Sequence, residues 1–91
     1  MIITGEGRFD SQSLHGKAVS GIAKRAEAQG KPVIVIAGGA DGYGDEIYDM
    51  GISAVFSVVS GVYKSLDEIK QSCADDLCRT AENLARVLRY L

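Results

Sequence analysis

The amino-acid sequence predicts an α/β fold, a small parallel sheet built in the order β-α-β-α-β-α. Three observations carry that prediction. Val33 to Ala37 is an unbroken apolar run without polar alternation, the pattern of a strand buried on both faces. Segments of helical spacing separate it from a strand-like run on either side, and such alternation implies parallel strands joined by right-handed crossovers. Most of the eleven glycines fall between Gly5 and Gly44, against a single proline, Pro32, which points to tight backbone turns rather than a low-complexity linker.

Each element has its own signal. Met1 to Gly5 reads as a short buried strand, broken by Gly5, Glu6 and Gly7. Asp10, Ser11 and Ser13 then offer side chains that can cap a helix. Leu14, Ala18, Val19, Ile22, Ala23 and Ala26 recur at helical spacing, so a helix is expected over 13–29. Gly30 ends it and Pro32 prevents its return. The second strand is expected over 33–37. Gly38, Gly39, Asp41, Gly42 and Gly44 form the next loop, followed by a short helix over 44–50 with Gly51 after it. Ala54 to Val59 is the third strand, closed by Ser60 and Gly61. The last helix, over 66–90, opens with a capping box: Ser65 is the cap and Glu68 stands three residues on. Its expected apolar stripe is Ile69, Cys73, Leu77, Ala81, Leu84, Leu88 and Leu91, with a break near Ser72.

Composition narrows the classes of function. Ninety-one residues make one small domain. Ten basic against twelve acidic residues leave a net charge of −2, which gives no electrostatic footprint for nucleic acid or an anionic membrane. No apolar run approaches the ~20 residues of a membrane span. Ile2 and Ile3 follow Met1 without a basic region or cleavage site, so no signal peptide is expected and the location is expected to be cytoplasmic. Cys73 and Cys78 are five residues apart, about 140° around a helix, too far round to bridge within it. They read as ordinary helix residues in a reducing compartment. Three strands are few for an independent parallel sheet, so the unit reads as part of a larger domain.

In open α/β sheets ligands bind beyond the carboxyl ends of the strands. Those ends are Gly5 to Ser13, Gly38 to Gly44 and Ser60 to Tyr63, which parallel strands bring to one edge. The first carries Glu6, Arg8, Asp10 and Ser11, with His15 and Lys17 at the helix start; the second carries Asp41 between glycines. This chemistry suits an anionic ligand with a metal. Backbone N–H groups at a glycine turn attract phosphate or carboxylate. Arg8 can clamp an anion in bidentate fashion, and Lys17 can place a point charge on a transferring group. Asp10 or Glu6 can hold Mg²⁺ or take a proton from a hydroxyl. Plainer roles stand beside these: Asp10 as a helix cap, Arg8 with Glu6 as a surface pair, His15 and Lys17 as solvated residues, Asp41 serving only its turn. The dinucleotide fingerprint fails, because Asp10 stands where its third glycine belongs; the P-loop fails, because Ser11 replaces its first glycine and Ala18 its Ser or Thr.

The run Ile3-Thr4-Gly5-Glu6-Gly7-Arg8-Phe9-Asp10-Ser11-Gln12-Ser13-Leu14-His15-Gly16-Lys17 resembles the TGEGR-x-D-x-Q-[ST]-x-x-GK signature of bacterial type I glycerate kinases. Gly30-Lys31-Pro32-Val33, Ala37-Gly38, Gly51-Ile52-Ser53-Ala54-Val55-Phe56-Ser57 and Thr80-Ala81-Glu82-Asn83-Leu84-Ala85-Arg86 are similar in kind, so the resemblance covers nearly the whole chain. Phe9 stands where a smaller aliphatic residue is common. The resemblance implies phosphorylation of D-glycerate to a phosphoglycerate, dependent on ATP and Mg²⁺. It implies a longer parent chain whose Rossmann-like domain is split in sequence by a second α/β domain. Residues 1–91 match only the C-terminal part of that split domain, a three-layer unit expected to be inactive alone.

On this reading Asp10 and Lys17 are catalytic, with Asp10 also at the metal. Glu6, Arg8, Ser11 and His15 bind substrate, and Gly5, Gly7, Gly38, Gly39 and Asp41 bind the nucleotide. The expected partners are D-glycerate, ATP, the N-terminal remainder of the parent chain and a second copy in a homodimer. The alternative is a non-catalytic α/β module that binds a small anion or nucleotide; a third reading leaves the glycine loops to serve the fold alone.

Overall fold

The computed structural model describes residues 1–58, 62, 63 and 65–91, and for Leu14 and Lys17 the backbone alone. It is an α/β structure. Strands β1 (Ile2–Phe9), β2 (Val33–Ala40) and β3 (Ala54–Ser57) form one parallel sheet in the spatial order β1-β2-β3. A 3₁₀ turn over Ser11–His15 and helix α1 (Lys17–Ala28) lie between β1 and β2; the short helix α2 (Glu46–Asp49) precedes β3, and α3 (Leu66–Leu88) follows it. The chain forms two compact units, Met1–Ser57 and Val58–Leu91.

The first two strands are longer than their glycines suggest. β1 runs through Gly5, Glu6, Gly7 and Arg8 to Phe9, and β2 runs on through Gly38 and Gly39. Register is held from Ile2 opposite Val33 to Phe9 opposite Ala40. A glycine lacks a side chain to pack but keeps both of its ladder groups, so a paired neighbour can hold it in a strand. None of Gly5, Gly7, Gly38 or Gly39 has a positive φ. At Gly38 the requirement is close approach: a Cβ there would stand 2.6 Å from the carbonyl oxygen of Gly7. β3 ends at Ser57; the expected continuation to Val59, and the closing Ser60 and Gly61, lie outside the described residues.

The single helix expected over 13–29 is two elements. Gly16 is extended, at φ −76° and ψ 155°, and separates the 3₁₀ turn from α1. The turn is closed by its own capping box: the Asp10 side chain accepts from Gln12 N–H at 2.9 Å, and Ser13 Oγ accepts from Asp10 N–H at 3.1 Å. The other end of α1 agrees with the sequence. Lys31 N–H bonds to the Ala26 carbonyl at 2.9 Å and Gly30 N–H to that of Glu27 at 3.1 Å, the paired bonds of a Schellman ending. After α2, Gly51 takes φ 103°, and a Cβ there would lie 2.9 Å from the Ala23 carbonyl oxygen. That backbone contact requires glycine.

One face of the sheet holds the core. Val33, Val35 and Ala37 of β2 are fully buried against Val19, Ala23 and Ala26 of α1, with Phe9, Ile47 and Ile52 completing the cluster. The small residues of α1 let its backbone come close to the sheet. Each large side chain so buried contributes roughly 1.5–3 kcal/mol. Register places Ile3, Ile34, Ala54, Ile36 and Phe56 on the opposite face. There the central residues Ile34 and Ile36 are shielded, but Ile3 is 52% and Phe56 41% exposed.

In the unit Val58–Leu91, Ser65 Oγ accepts from Glu68 N–H at 3.2 Å and starts α3 where the sequence places it. The helix runs unbroken through Ser72. Its least exposed line shares only Ile69, Leu84 and Leu88 with the expected stripe. Ile69, Ser72, Asp76, Thr80, Leu84 and Leu88 are covered or partly covered, whereas Cys73, Leu77, Ala81 and Leu91 are exposed. Cys73 and Cys78 are free thiols. No helix among the described residues is long and apolar enough to cross a membrane.

Candidate functional site

Parallel register sets the carboxyl ends of β1 and β2 side by side, with Phe9 opposite Ala40. Just beyond them Asp41 N–H bonds to the Phe9 carbonyl at 3.1 Å, and Ser11 N–H bonds to the Gly42 carbonyl at 3.2 Å. The two loops are therefore stitched by backbone. Beneath them Phe9 is fully buried, and its ring meets that of Tyr43 edge-on, with centroids 5.4 Å apart. A large aromatic at position 9 thus anchors both loops to the core.

On this base three charged residues meet. Arg8 Nη2 donates to Asp41 Oδ1 at 2.9 Å, and Arg8 Nε lies 3.6 Å from Asp10 Oδ2. The surface pairing of Arg8 with Glu6 that the sequence left open is not formed; Arg8 turns to the carboxylates of the two loops instead. Glu6 is half-buried opposite Ala37, and its carboxylate forms no hydrogen bond or ion pair among the described residues. Asp10 is a helix cap, as one reading held, but the cap uses Oδ1, which leaves Oδ2 facing Arg8. Such exposed ion pairs are worth ~0–1 kcal/mol each, so a ligand can displace them cheaply.

The remaining candidates are placed as follows. Gly5 and Gly7 lie within β1, and Gly38 and Gly39 within β2, rather than in loops, and ladder pairing already claims part of the backbone of Gly5 and Gly39. Ser11 opens the 3₁₀ turn, with its N–H committed to Gly42. His15 is exposed in the last turn. Lys17 is the first residue of α1, and its side chain lies outside the described residues. Of the third edge segment, Ser60 and Gly61 are likewise outside them. The edge thus brings Arg8, Asp10 and Asp41 together and leaves Glu6 and His15 apart from that cluster.

The sequence reading missed two features. One is the support of Phe9 by Tyr43. The other is a hydrogen-bonded pair in the second unit: the Tyr63 hydroxyl lies 2.9 and 2.8 Å from the two carboxylate oxygens of Asp76, which is buried. This bond, with smaller help from desolvation and the Asp76 and Asp75 charges, holds the Tyr63 hydroxyl above its ordinary pKa of 10.0. The four-residue spacing of Ser72, Asp76 and Thr80 was the available signal, since it puts three polar residues on one line of a helix.

Among the described residues no group of three or more His, Cys, Asp and Glu is close enough to hold a metal ion by itself. Asp10 and Asp41 are a hard-oxygen pair, and Mg²⁺ commonly takes one or two protein carboxylates with phosphate and water supplying the rest. The donor set fits a metal that arrives with a phosphate ligand, and does not fit an all-protein cage.

Comparison with known proteins agrees with the resemblance in the sequence. The model of the glycerate kinase family matches residues 1–89. The chain is 44% identical over 88 residues to a glycerate 2-kinase of Escherichia coli, covering 97% of this chain and 23% of that protein. It is 43% identical over 90 residues to a glycerate kinase of Haemophilus influenzae, covering 99% of this chain and 24% of that protein. It is 40% identical over 89 residues to a glycerate kinase of Bacillus subtilis, covering 98% and 23%. The chain therefore spans about a quarter of the length of these relatives. No solved structure matches it significantly. With a family match that runs almost end to end, over residues that include the whole Arg8, Asp10 and Asp41 cluster, the chain belongs to the glycerate kinase family.

Proposed function

We propose that these residues are the C-terminal part of an ATP-dependent kinase that phosphorylates D-glycerate, and that they return to a Rossmann-like domain split by a second α/β domain. The 91 residues alone are inactive on this reading, because the rest of the parent chain supplies the other wall of the cleft. The parent is cytoplasmic, and a homodimer is its expected assembly. The observation that carries the proposal is the meeting of Arg8, Asp10 and Asp41 at the carboxyl edge of the sheet, in a chain of this family.

Mg-ATP supplies the phosphoryl group and part of the charge that neutralises it. The residues of this chain bind and position. Phosphoryl transfer asks for alignment and charge stabilisation more than for covalent help. Arg8 leaves its exposed pairs and holds the glycerate carboxylate, the one fixed charge on that substrate. Asp41 and Asp10 would then be free of Arg8 to hold Mg²⁺, which would neutralise phosphate charge. Asp10 Oδ2, the oxygen that the cap does not use, either holds that ion or accepts the proton of the attacking hydroxyl, while Oδ1 keeps the 3₁₀ turn capped. Lys17, at the start of α1, provides a cation for the migrating group. Backbone N–H groups around Gly38 and Gly39 line the phosphate side, with Gly5 and Gly7 shaping the floor. Ser11, Glu6 and His15 complete the glycerate side.

The test uses the complete gene product that carries these residues, with D-glycerate and Mg-ATP in a coupled assay. Asp10→Asn is expected to lower kcat by roughly 10²-fold or more, as for a lost charge or base. Asparagine caps a helix about as well as aspartate, so stability should hold. Arg8→Ala should act mainly on KM for glycerate. Near-normal turnover of Asp10→Asn would reduce Asp10 to a cap and sink the assignment.

A further inference from the structure

Asp76 is the one buried charged residue among the described residues, at 7% exposure. Removing a carboxylate from water is costly unless hydrogen bonds replace the lost solvation. The Tyr63 hydroxyl supplies part of that replacement, its one proton shared between two oxygens at 2.9 and 2.8 Å. Thr80 Oγ1 donates to the Asp76 carbonyl at 2.9 Å. Ser72, Asp76 and Thr80 follow one another at four-residue steps, so one face of α3 carries the whole arrangement.

The two ends of this contact are 13 residues apart. Tyr63 stands two residues before the Ser65 cap, and Asp76 about three turns into α3. The contact therefore ties the approach to the helix onto the helix itself. A buried carboxylate is a poor way to add stability, because an apolar residue of similar volume usually serves as well or better. What a directional contact adds is a single geometry. We propose that Tyr63 is a positioning residue, which through Asp76 fixes the start of α3. Its consequence for activity rests on the kinase reading, since β3 ends at the same sheet edge as β1 and β2.

Hydrogen exchange of the 91-residue chain near neutral pH tests the positioning directly. Tyr63→Phe should speed exchange of the Glu68 and Ile69 amides, which bond to Ser65, about tenfold, the effect of about one lost hydrogen bond. The double variant Tyr63→Phe with Asp76→Leu removes the buried charge together with the Tyr63 hydroxyl. It should keep the middle of α3 protected while the Glu68 and Ile69 amides still exchange fast. Equal exchange in wild type and Tyr63→Phe overturns the proposal, and so does recovery of slow exchange at Glu68 and Ile69 in the double variant. In the complete gene product Tyr63→Phe should raise a KM severalfold with kcat within about twofold; unchanged kinetic constants overturn the positioning role. A wild-type protein without glycerate kinase activity refutes the kinase reading instead, and the exchange result then decides the clamp alone.

Discussion

The units Met1–Ser57 and Val58–Leu91 bury different things. The first closes a core of Val, Ile, Ala and Phe between a parallel sheet and α1, and its glycines sit where backbone meets backbone. In the second, the one buried side chain of α3 is Asp76, while Leu77 is 48% and Val87 60% exposed. Non-directional packing holds the sheet unit, whose stability adds up over many contacts. A directional polar contact defines the start of the helix unit. The difference teaches where each tolerates change: volume matters in the first, and the identity of a few polar atoms matters in the second.

The largest effect is expected where the sheet unit is densest. Phe9→Ala should destabilise the chain by about 3–5 kcal/mol, since Phe9 is fully buried and its loss leaves Tyr43 without its ring partner. Denaturant titration followed by circular dichroism measures it. A loss below ~1 kcal/mol would show that the site loops do not depend on the core beneath them. Gly38→Ala comes next, at about 1–3 kcal/mol. Its added methyl group would stand 2.6 Å from a backbone oxygen of β1, which cannot turn away as a side chain could. The same variant should loosen the Phe9–Ala40 end of the ladder, seen as faster amide exchange there than at Ile2–Val33.

These two residues also mark what the sequence could tell. The apolar runs at β2 and β3, the Gly30 ending and the Ser65 cap were legible, because each depends on neighbours a few residues away. The extension of β1 through Gly5 and Gly7 was not. Locally those glycines break a strand, and only pairing of Gly5 with Ile36, and of Glu6 and Arg8 on either side of Gly7 with Ala37 and Gly39, holds them in one. The candidate site was legible as a set of polar residues and illegible as a set of pairs. Arg8 meets Asp41 through strand register, and register follows from the fold rather than from spacing. Asp76 was hidden for a related reason: its partner Tyr63 lies outside the helix whose periodicity was being read.

An alkaline titration should separate the two units. The pKa of Tyr63 is raised in the folded chain, first by its bond to Asp76. The folded state therefore holds this proton more tightly than the unfolded state does. Its contribution is fully present below the ordinary tyrosine value near 10 and is lost as pH rises through the raised value. Thermal unfolding measured from pH 9 upward should show a decline that Tyr63→Phe lessens. An unaltered decline in Tyr63→Phe would mean that other groups control alkaline stability.

The smallest expected effect on stability is the most informative about the sheet. Phe56 is the point at which the first unit resembles the second, an apolar side chain left 41% exposed on a face that also carries the exposed Ile3. It lies on β3, an edge strand of only four residues. Parallel sheets are normally covered on both faces, and an apolar edge invites association. Phe56→Lys removes little buried area, so the unfolding free energy should change by no more than ~0.5 kcal/mol. The added charge should nevertheless reduce self-association, read as a lower weight-average mass by sedimentation at high concentration. In the complete gene product the same substitution should be costly if the remainder of the parent chain covers this face. A large loss in the 91-residue chain would instead show that the face is already closed, and the contrast between the two sides of the sheet would disappear. Equal tolerance in both contexts would leave the face open in the parent too, and would remove the main physical reason to seek its cover in the other three-quarters of the relatives' length.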